Sequence, residues 1–430
     1  MIYLQVMCDR AIGTLHPLLA GLLLLGLTAC GQPEVGTTAI ERTATLRQNY
    51  AAGKDIDIAL VWHKDKKQFR DGAILAAEEI NAEGGIDGHQ LRLHFTEASS
   101  FLKSHHVDRA MLEGRYRNAK QVAGADIAHR VVARNNVSAV ISADIPVEST
   151  LSSMVVYKKH GVLFLNAGSS YSSIDWVAND LYFQLLPPNT ILADNIAAEI
   201  KQQKWQTVFI VYLDTYHETE VIELLRTELV NDGITLSGSY AMQLGEGNLN
   251  RGYQGRLRAS LAELRYSDTD AIILLMPPKL AAHVIHFTRE IGVLQPFLGS
   301  REFNSPKEFI DIVGEHGIGT RTTSLYRAGD YQVKRFEEKF NQRFTGSKAN
   351  VSAMLGYDSV RLYAQGVASA KTVVPIQVSE ALNYRLPVWF GLLGSYSFNE
   401  GESVNINYSI LQLVSRKDGT LGFVAENDAN

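Results

Sequence analysis

The spacing of apolar residues along this chain switches repeatedly between strand-like runs and helix-like faces. Residues 55–61 form a short apolar run that predicts a strand, and residues 72–82 place Ile74, Leu75, Ala77 and Ile80 at helical spacing. Gly84 and Gly85 stop that helix. Residues 90–95 alternate as a second strand, and a long helix then runs to about Arg134. Strand 139–141, helix 147–160 and strand 162–165 follow. A further set opens at Leu181: helix 190–203 with strand 207–213, helix 218–231 with strand 235–240, helix 253–264 with strand 270–275, and helix 278–291 with strand 295–298. Strands alternating with helices of this length predict parallel sheets covered on both faces. The units are too many for one compact sheet, so the expected fold is α/β with two lobes. In open sheets of this kind ligands sit at the carboxyl ends of the strands, which directs attention to the loop after each strand.

The N-terminal thirty residues follow a different pattern. The apolar run 18–27 is too short to span a bilayer and fits the central region of a signal peptide. It ends in Leu27-Thr28-Ala29-Cys30, which resembles the bacterial lipobox; the resemblance implies cleavage before Cys30 and lipid on that cysteine. An ordinary signal peptide is the plainer alternative. Residues 31–54 are polar and rich in small side chains, and read as a flexible tether.

Composition narrows the function. Apolar residues make up 46% and charged residues 20% of the 430, a globular balance. The net charge is −5 and no long basic run occurs, so no nucleic-acid binding is expected. The two cysteines, Cys8 and Cys30, both precede the body, which therefore has no disulfide, thiol nucleophile or cysteine metal ligand.

The order of segments then becomes specific. Residues 72–88, from Gly72 through Glu78-Glu79-Ile80-Asn81 to Gly84-Gly85-Ile86-Asp87-Gly88, resemble the first helix of the leucine/isoleucine/valine-binding family, the type I periplasmic binding proteins. Further landmarks occur in the family's order: residues 161–170, 268–275, 287–292, 296–299, 353–360 and 394–402. The resemblance spans roughly 55–430. It implies two Rossmann-like lobes with parallel sheets and a three-crossover hinge, closing around a ligand. The crossovers are expected near Leu186, Gly299 and Gly394. That gives lobe 1 as 55–186 plus 300–394 and lobe 2 as 187–299 plus 395–430, after a signal peptide at 1–30 and a tether at 31–54.

The resemblance also implies ligand contacts. Gly168, Ser169 and Ser170 fall where the family binds a carboxylate, with Ser170 supplying a hydroxyl and Gly168 a backbone contact; serine caps or turns are the alternative. Ser149 lies near the family's other hydroxyl, with Asp144 in the same loop as its rival. Tyr216 resembles the tyrosine that packs on the ligand, although His217 stands where glycine is usual. Glu246, after Gly245, resembles the glutamate that binds an amine. Trp62 follows the first strand as a candidate pocket wall, and Arg301, Glu302 and Phe303 sit where they line the cleft from the hinge side. Helix capping, packing or plain exposure is the alternative for each.

Other chemistry is sparse. His283 and His286 share a helix face without a third ligand at nearby spacing, so no metal is expected. No phosphate-binding loop, nucleophile elbow or zinc-protease motif occurs, and neither catalysis nor a cofactor is expected. Residues 103–121 are polar and read as a helix extension or a docking surface. The resulting expectation is an extracytoplasmic, lipid-anchored protein. It captures an amino acid, amide or small organic acid by lobe closure and delivers it to an ABC-type permease. The alternative is an accessory lipoprotein that senses a metabolite for a membrane partner.

Overall fold

The computed structural model describes residues 38–104, 116–143, 147–168, 170–172, 180–243, 257, 259–300, 309–327, 329–386, 388–399, 401–403 and 406–425. Among them no helix is long and apolar enough to cross a membrane. The proposed signal segment lies outside the described residues.

The expected tether is corrected over most of its length. Helix α1 (Ala39–Ala51) begins at a capping box: the Thr38 hydroxyl accepts from the Glu41 N–H while the Glu41 carboxylate accepts from the Thr38 N–H. Arg42 and Leu46 are buried on this helix. The Arg42 guanidinium donates to the carbonyls of Val132, Arg134, Val137 and His160, at 2.6 to 3.0 Å. Burial lowers its pKa to about 10, which leaves it charged at neutral pH.

Strand β1 (Ile56–Trp62) is apolar on both faces because both faces are covered. It pairs in parallel with β2 (Leu91–Glu97) and β3 (Val137–Ser142). Helix α2 (Lys67–Ala82) links β1 to β2, and α3 (Tyr116–Val132) and α4 (Val147–Lys159) flank β3 in sequence. Strands β4 (Leu163–Asn166) and β5 (Tyr182–Gln184) extend the sheet in parallel. The chain then enters the second sheet through helix α5 (Asn189–Gln202), strand β6 (Thr207–Leu213), helix α6 (Tyr216–Asn231), strand β7 (Thr235–Met242), strand β8 (Ala271–Leu275), helix α7 (Pro278–Glu290) and strand β9 (Phe297–Gly299). Strand β10 (Arg321–Ser324) pairs in parallel with β9.

The chain next returns to the first lobe through helices α8 (Tyr331–Arg343) and α9 (Val351–Ala370). Helix α9 lies against α2 at glycines from both sides: a Cβ on Gly72 would run into the Ala353 carbonyl, and one on Gly356 into the Phe69 carbonyl. This close approach is the physical reason for glycine at the head of the 72–82 pattern. Lys339 and Arg343 of α8 pair with Glu79 and Glu78 of α2. A short hairpin, β11 (Trp389–Phe390) with β12 (Ser395–Tyr396), follows. Strands β13 (Phe398–Asn399) and β14 (Glu402–Ser403) then join the edge of the first sheet beside β5. Strands β15 (Ser409–Ser415) and β16 (Leu421–Ala425) close the second. The sheet orders are β13-β14-β5-β4-β3-β1-β2 and β16-β15-β10-β9-β8-β6-β7.

Two expected lobe boundaries move. Because β10 belongs to the second sheet, the chain stays in that lobe past Gly299 and leaves it only after Ser324. Because β13 and β14 belong to the first sheet, the last crossover lies between Ser403 and Ser409 and not at Gly394. The first crossover lies between Gln184 and Asn189.

Candidate functional site

Of the residues that the sequence singled out, Trp62 ends a strand, and Gly168 and Ser170 lie on the loop after β4. Trp62 ends β1 and is half-buried, with the Arg70 guanidinium 4.7 Å from its ring centroid. Arg70 also pairs with the buried Asp71 at 2.8 Å. The neighbouring strand ends on Glu97, whose carboxylate accepts from the Ser99 N–H at 2.7 Å. Burial pushes the Glu97 carboxyl up, but the Ser99 hydrogen bonds and nearby His63 outweigh it, so the group titrates below its ordinary range.

Ser149 lies in the first turn of α4, fully buried, and its hydroxyl donates to the Lys120 carbonyl at 2.7 Å. Gly124 of α3 has no room for a Cβ against the Ser149 backbone. Ser149 thus faces the α3–α4 contact, and its proton is spent there.

The loop after β4 is built around side chains that the sequence reading missed. Asn166 donates to the Tyr182 hydroxyl at 2.8 Å and accepts from the Gly168 N–H at 3.1 Å, so that backbone donor is already engaged. Ser170 is buried, and its hydroxyl donates to Asn189 Oδ1 at 2.8 Å. Its carbonyl accepts from the Asn189 N–H at 2.7 Å, and the Thr190 N–H donates to the Ser172 hydroxyl at 3.1 Å. Tyr171 comes next, its ring centroid 5.2 Å from Tyr216 and 6.1 Å from His217. Tyr216 opens α6 in the second lobe and is about half exposed. Asn189 donates to the Glu220 carboxylate at 2.5 Å and lies 3.1 Å from His217 Nδ1. Ser170, Tyr171 and Tyr216 are therefore brought together from the two lobes, while Trp62 ends a different strand. Ser169, Asp144, Gly245, Glu246, Arg301, Glu302 and Phe303 lie outside the described residues.

A row of polar residues crosses the end of the first sheet. Ser142 pairs in register with Asn166, and Asn166 with Gln184. All three continue the face carried by Val140, Phe164 and Tyr182, two residues earlier on each strand. All are buried, yet among the described residues Ser142 Oγ and Gln184 Nε2 have no hydrogen-bond partner. Buried polar groups are rarely left unpaired, which marks this row as a place for a ligand group or an ordered water. The only sequence signal for it was polar residues ending apolar runs.

The histidine pair on α7 meets a third histidine: the His286 and His316 rings lie 4.7 Å apart, edge to face, and His286 lies 3.5 Å from Glu290. Burial, and then Lys279, holds the His283 pKa below its usual value. Among the described residues no group of three or more His, Cys, Asp or Glu side chains is arranged to hold a metal ion.

Comparison with known proteins places this geometry. Residues 118–419 match the sequence model of the family described as periplasmic binding protein. Among solved structures, an ABC transporter substrate-binding protein from Desulfitobacterium hafniense in complex with Leu is 18% identical, with a TM-score of 0.66 over 86% of this chain and 100% of that one. The branched-chain amino acid transporter substrate-binding protein LivJ from Streptococcus pneumoniae, in complex with isoleucine, is 19% identical, with a TM-score of 0.67 over 86% and 99%. A solute-binding protein of R. palustris in complex with benzoate is 11% identical, with a TM-score of 0.65 over 86% and 96%. At these identities the likeness is one of fold. No curated protein matches the sequence.

Proposed function

Since the chain belongs to the periplasmic binding protein family, we propose that it captures a small carboxylate-bearing solute between its lobes, outside the cytoplasmic membrane, and presents it to an ABC-type permease. The solute is an amino acid or a related amide or organic acid. The observation that carries this reading is the meeting of the two lobes where strands end: the loop after β4 brings Tyr171 against Tyr216 and His217 of α6 and ties Ser170 to Asn189 of α5. Solved proteins of this fold hold leucine, isoleucine or benzoate. All three ligands pair a carboxylate with an apolar body, which suits an aromatic wall beside hydrogen-bond donors.

The donors need reassignment. The Ser170 proton and the Gly168 N–H are already given to Asn189 and Asn166. Ser142 and Gln184 hold the unspent donors, and they reach a carboxylate directly or through an ordered water. Ser170 then serves as an acceptor for a ligand N–H, alongside Glu246. Tyr216 and Trp62 supply aromatic surface, and Gly168 shapes the loop. The lipobox-like segment supports lipid attachment at Cys30, which anchors the protein to a membrane. Closure is favoured by any solute that touches both lobes, and the permease reads the closed form.

The test is a thermal-shift screen of the purified protein against L-leucine, L-isoleucine, their amides and benzoate. A ligand at a hundredfold its Kd stabilises the folded state by about 2.7 kcal/mol. A concentration-dependent rise in midpoint that Gln184→Leu abolishes supports the assignment. A rise that Gln184→Leu leaves intact moves the carboxylate elsewhere, and silence across the panel sinks the solute class.

A further inference from the structure

Asn189 is fully buried, and every polar group of its side chain is used. It is the first residue of α5, directly after the first crossover. Its Oδ1 accepts from Ser170 of the first lobe, while its two amide hydrogens point to Glu220 Oε2 and to His217 Nδ1 of α6 in the second. Its backbone N–H donates to the Ser170 carbonyl. One side chain thus joins the loop after β4, the start of α5 and the first turns of α6. Leucine has nearly the same shape and would fill this space without polar groups. A buried, saturated amide instead fixes one relative placement of its partners, because any other leaves a donor or acceptor unpaired away from water.

We propose that Asn189 is a positioning residue that makes the conformation of the β4 loop and the position of lobe 2 a single event. This deepens the reading of the cleft as a solute site: a solute that displaces Ser170 and Tyr171 pulls α6 with them. Movement of α6 in turn releases Ser170 from its hydrogen bond, and Tyr171 loses its tilted ring contact with Tyr216.

The protein is well suited to a solute-free test, since its body carries no cysteine. The full chain with Cys8→Ser and Cys30→Ser is labelled at Val155→Cys on α4 and Val230→Cys on α6, both highly exposed. Single-molecule energy transfer then reads the distance between the lobes without any solute. Asn189→Ala is expected to lower the ratio of wild-type-like to displaced molecules by about 5- to 30-fold, the range that one or two lost buried interactions produce. Asn189→Asp keeps the acceptor for Ser170 but sets a carboxylate against Glu220, and shifts the same ratio. Adding Glu220→Gln returns a donor and restores the wild-type distribution. A variant that melts cooperatively yet keeps the wild-type distribution overturns the proposal. So does failure of the paired substitution to restore it, a comparison that decides the matter even where Asn189→Ala does not fold. Because no solute is involved, a wrong solute class leaves this test untouched.

Discussion

Replacing Arg42 with alanine is the sharpest test of how the first helix is attached. Its guanidinium serves four carbonyls, three of them at the end of α3 and the turn into β3 and the fourth at His160, just after α4. Arg42 is fully shielded from solvent, so Arg42→Ala strands acceptors that water reaches poorly. Each stranded buried acceptor costs about 1–3 kcal/mol. Against that, the substitution removes a cation whose burial is itself unfavourable, as its depressed pKa of about 10 records. Charging the four carbonyls at the low end and crediting the lost desolvation with roughly one such unit leaves about 3 kcal/mol of net loss. The loss falls on α1 first, since Arg42 and Leu46 are its buried side chains. Hydrogen exchange read by mass spectrometry on peptides covering 39–51 should therefore accelerate by about two decades, from the 1.4 kcal/mol that each tenfold change represents. Arg42→Lys should fall between, because one ammonium cannot fork to four carbonyls. Exchange within threefold of wild type in Arg42→Ala would refute the reasoning and return α1 to the status of a loosely held arm.

Four further outcomes follow from particular contacts. Arg321→Met removes the guanidinium that pairs with the buried Glu199 at 3.0 Å and should destabilise the protein by about 3–5 kcal/mol in urea unfolding, with Glu199→Gln recovering much of the loss. Gly72→Ala forces a methyl into the Ala353 carbonyl and should cost about 1–3 kcal/mol by thermal unfolding; an unchanged midpoint would show that α2 and α9 slide apart freely. Ser149→Ala should cost about 1 kcal/mol through the Lys120 carbonyl while leaving solute affinity by calorimetry unchanged, whereas a loss of affinity would restore the ligand role. Burial pushes the Asp358 carboxyl up to about 6, against hydrogen bonds from the Leu392 and Leu393 amides and the Tyr396 hydroxyl. The folded state then holds this proton more tightly than the unfolded one. Its contribution to stability is full below the unfolded value of 3.8 and is lost as pH rises to about 6. The difference in unfolding free energy between wild type and Asp358→Asn should therefore slope between those pH values and flatten above them.

Elements with apolar faces were legible in the sequence, and those made of small polar residues were not. Strand β1 announces itself because both of its faces need apolar cover. Strand β10 reads Arg-Thr-Thr-Ser, which looks like a loop, yet Thr322, Thr323 and Ser324 are fully buried. Their backbone groups are satisfied by the ladders to β9 and β15, and neither neighbour is close to β10 in sequence. Strands β13 and β14 have two residues each and carry no period at all. Missing these three strands shifted two crossovers. Helix α1 failed for another reason: Thr38 and Glu41 have the spacing of a capping box, but the signal lay inside a polar stretch that composition alone assigned to a tether.

At the site, sequence located the loops but not the direction of their hydrogen bonds. Gly168 and Ser170 lie on the loop beside Tyr216, as the resemblance implied, but a loop position does not say where a proton points. That depends on Asn166, two residues before Gly168, and on Asn189, nineteen residues after Ser170. Neither asparagine carries a motif. Once both are in place, the Gly168 N–H and the Ser170 hydroxyl are spent as donors, while the buried Ser142 and Gln184 have groups without a partner among the described residues. A carboxylate that takes its donor from Ser170 or Gly168 must first break the Ser170–Asn189 or Gly168–Asn166 hydrogen bond, and breaking the former also loosens the link to α6. Solute chemistry and lobe position are thus tied through the same few hydrogen bonds. A ligand that offers an N–H to Ser170 and its carboxylate to the deeper row leaves that link intact.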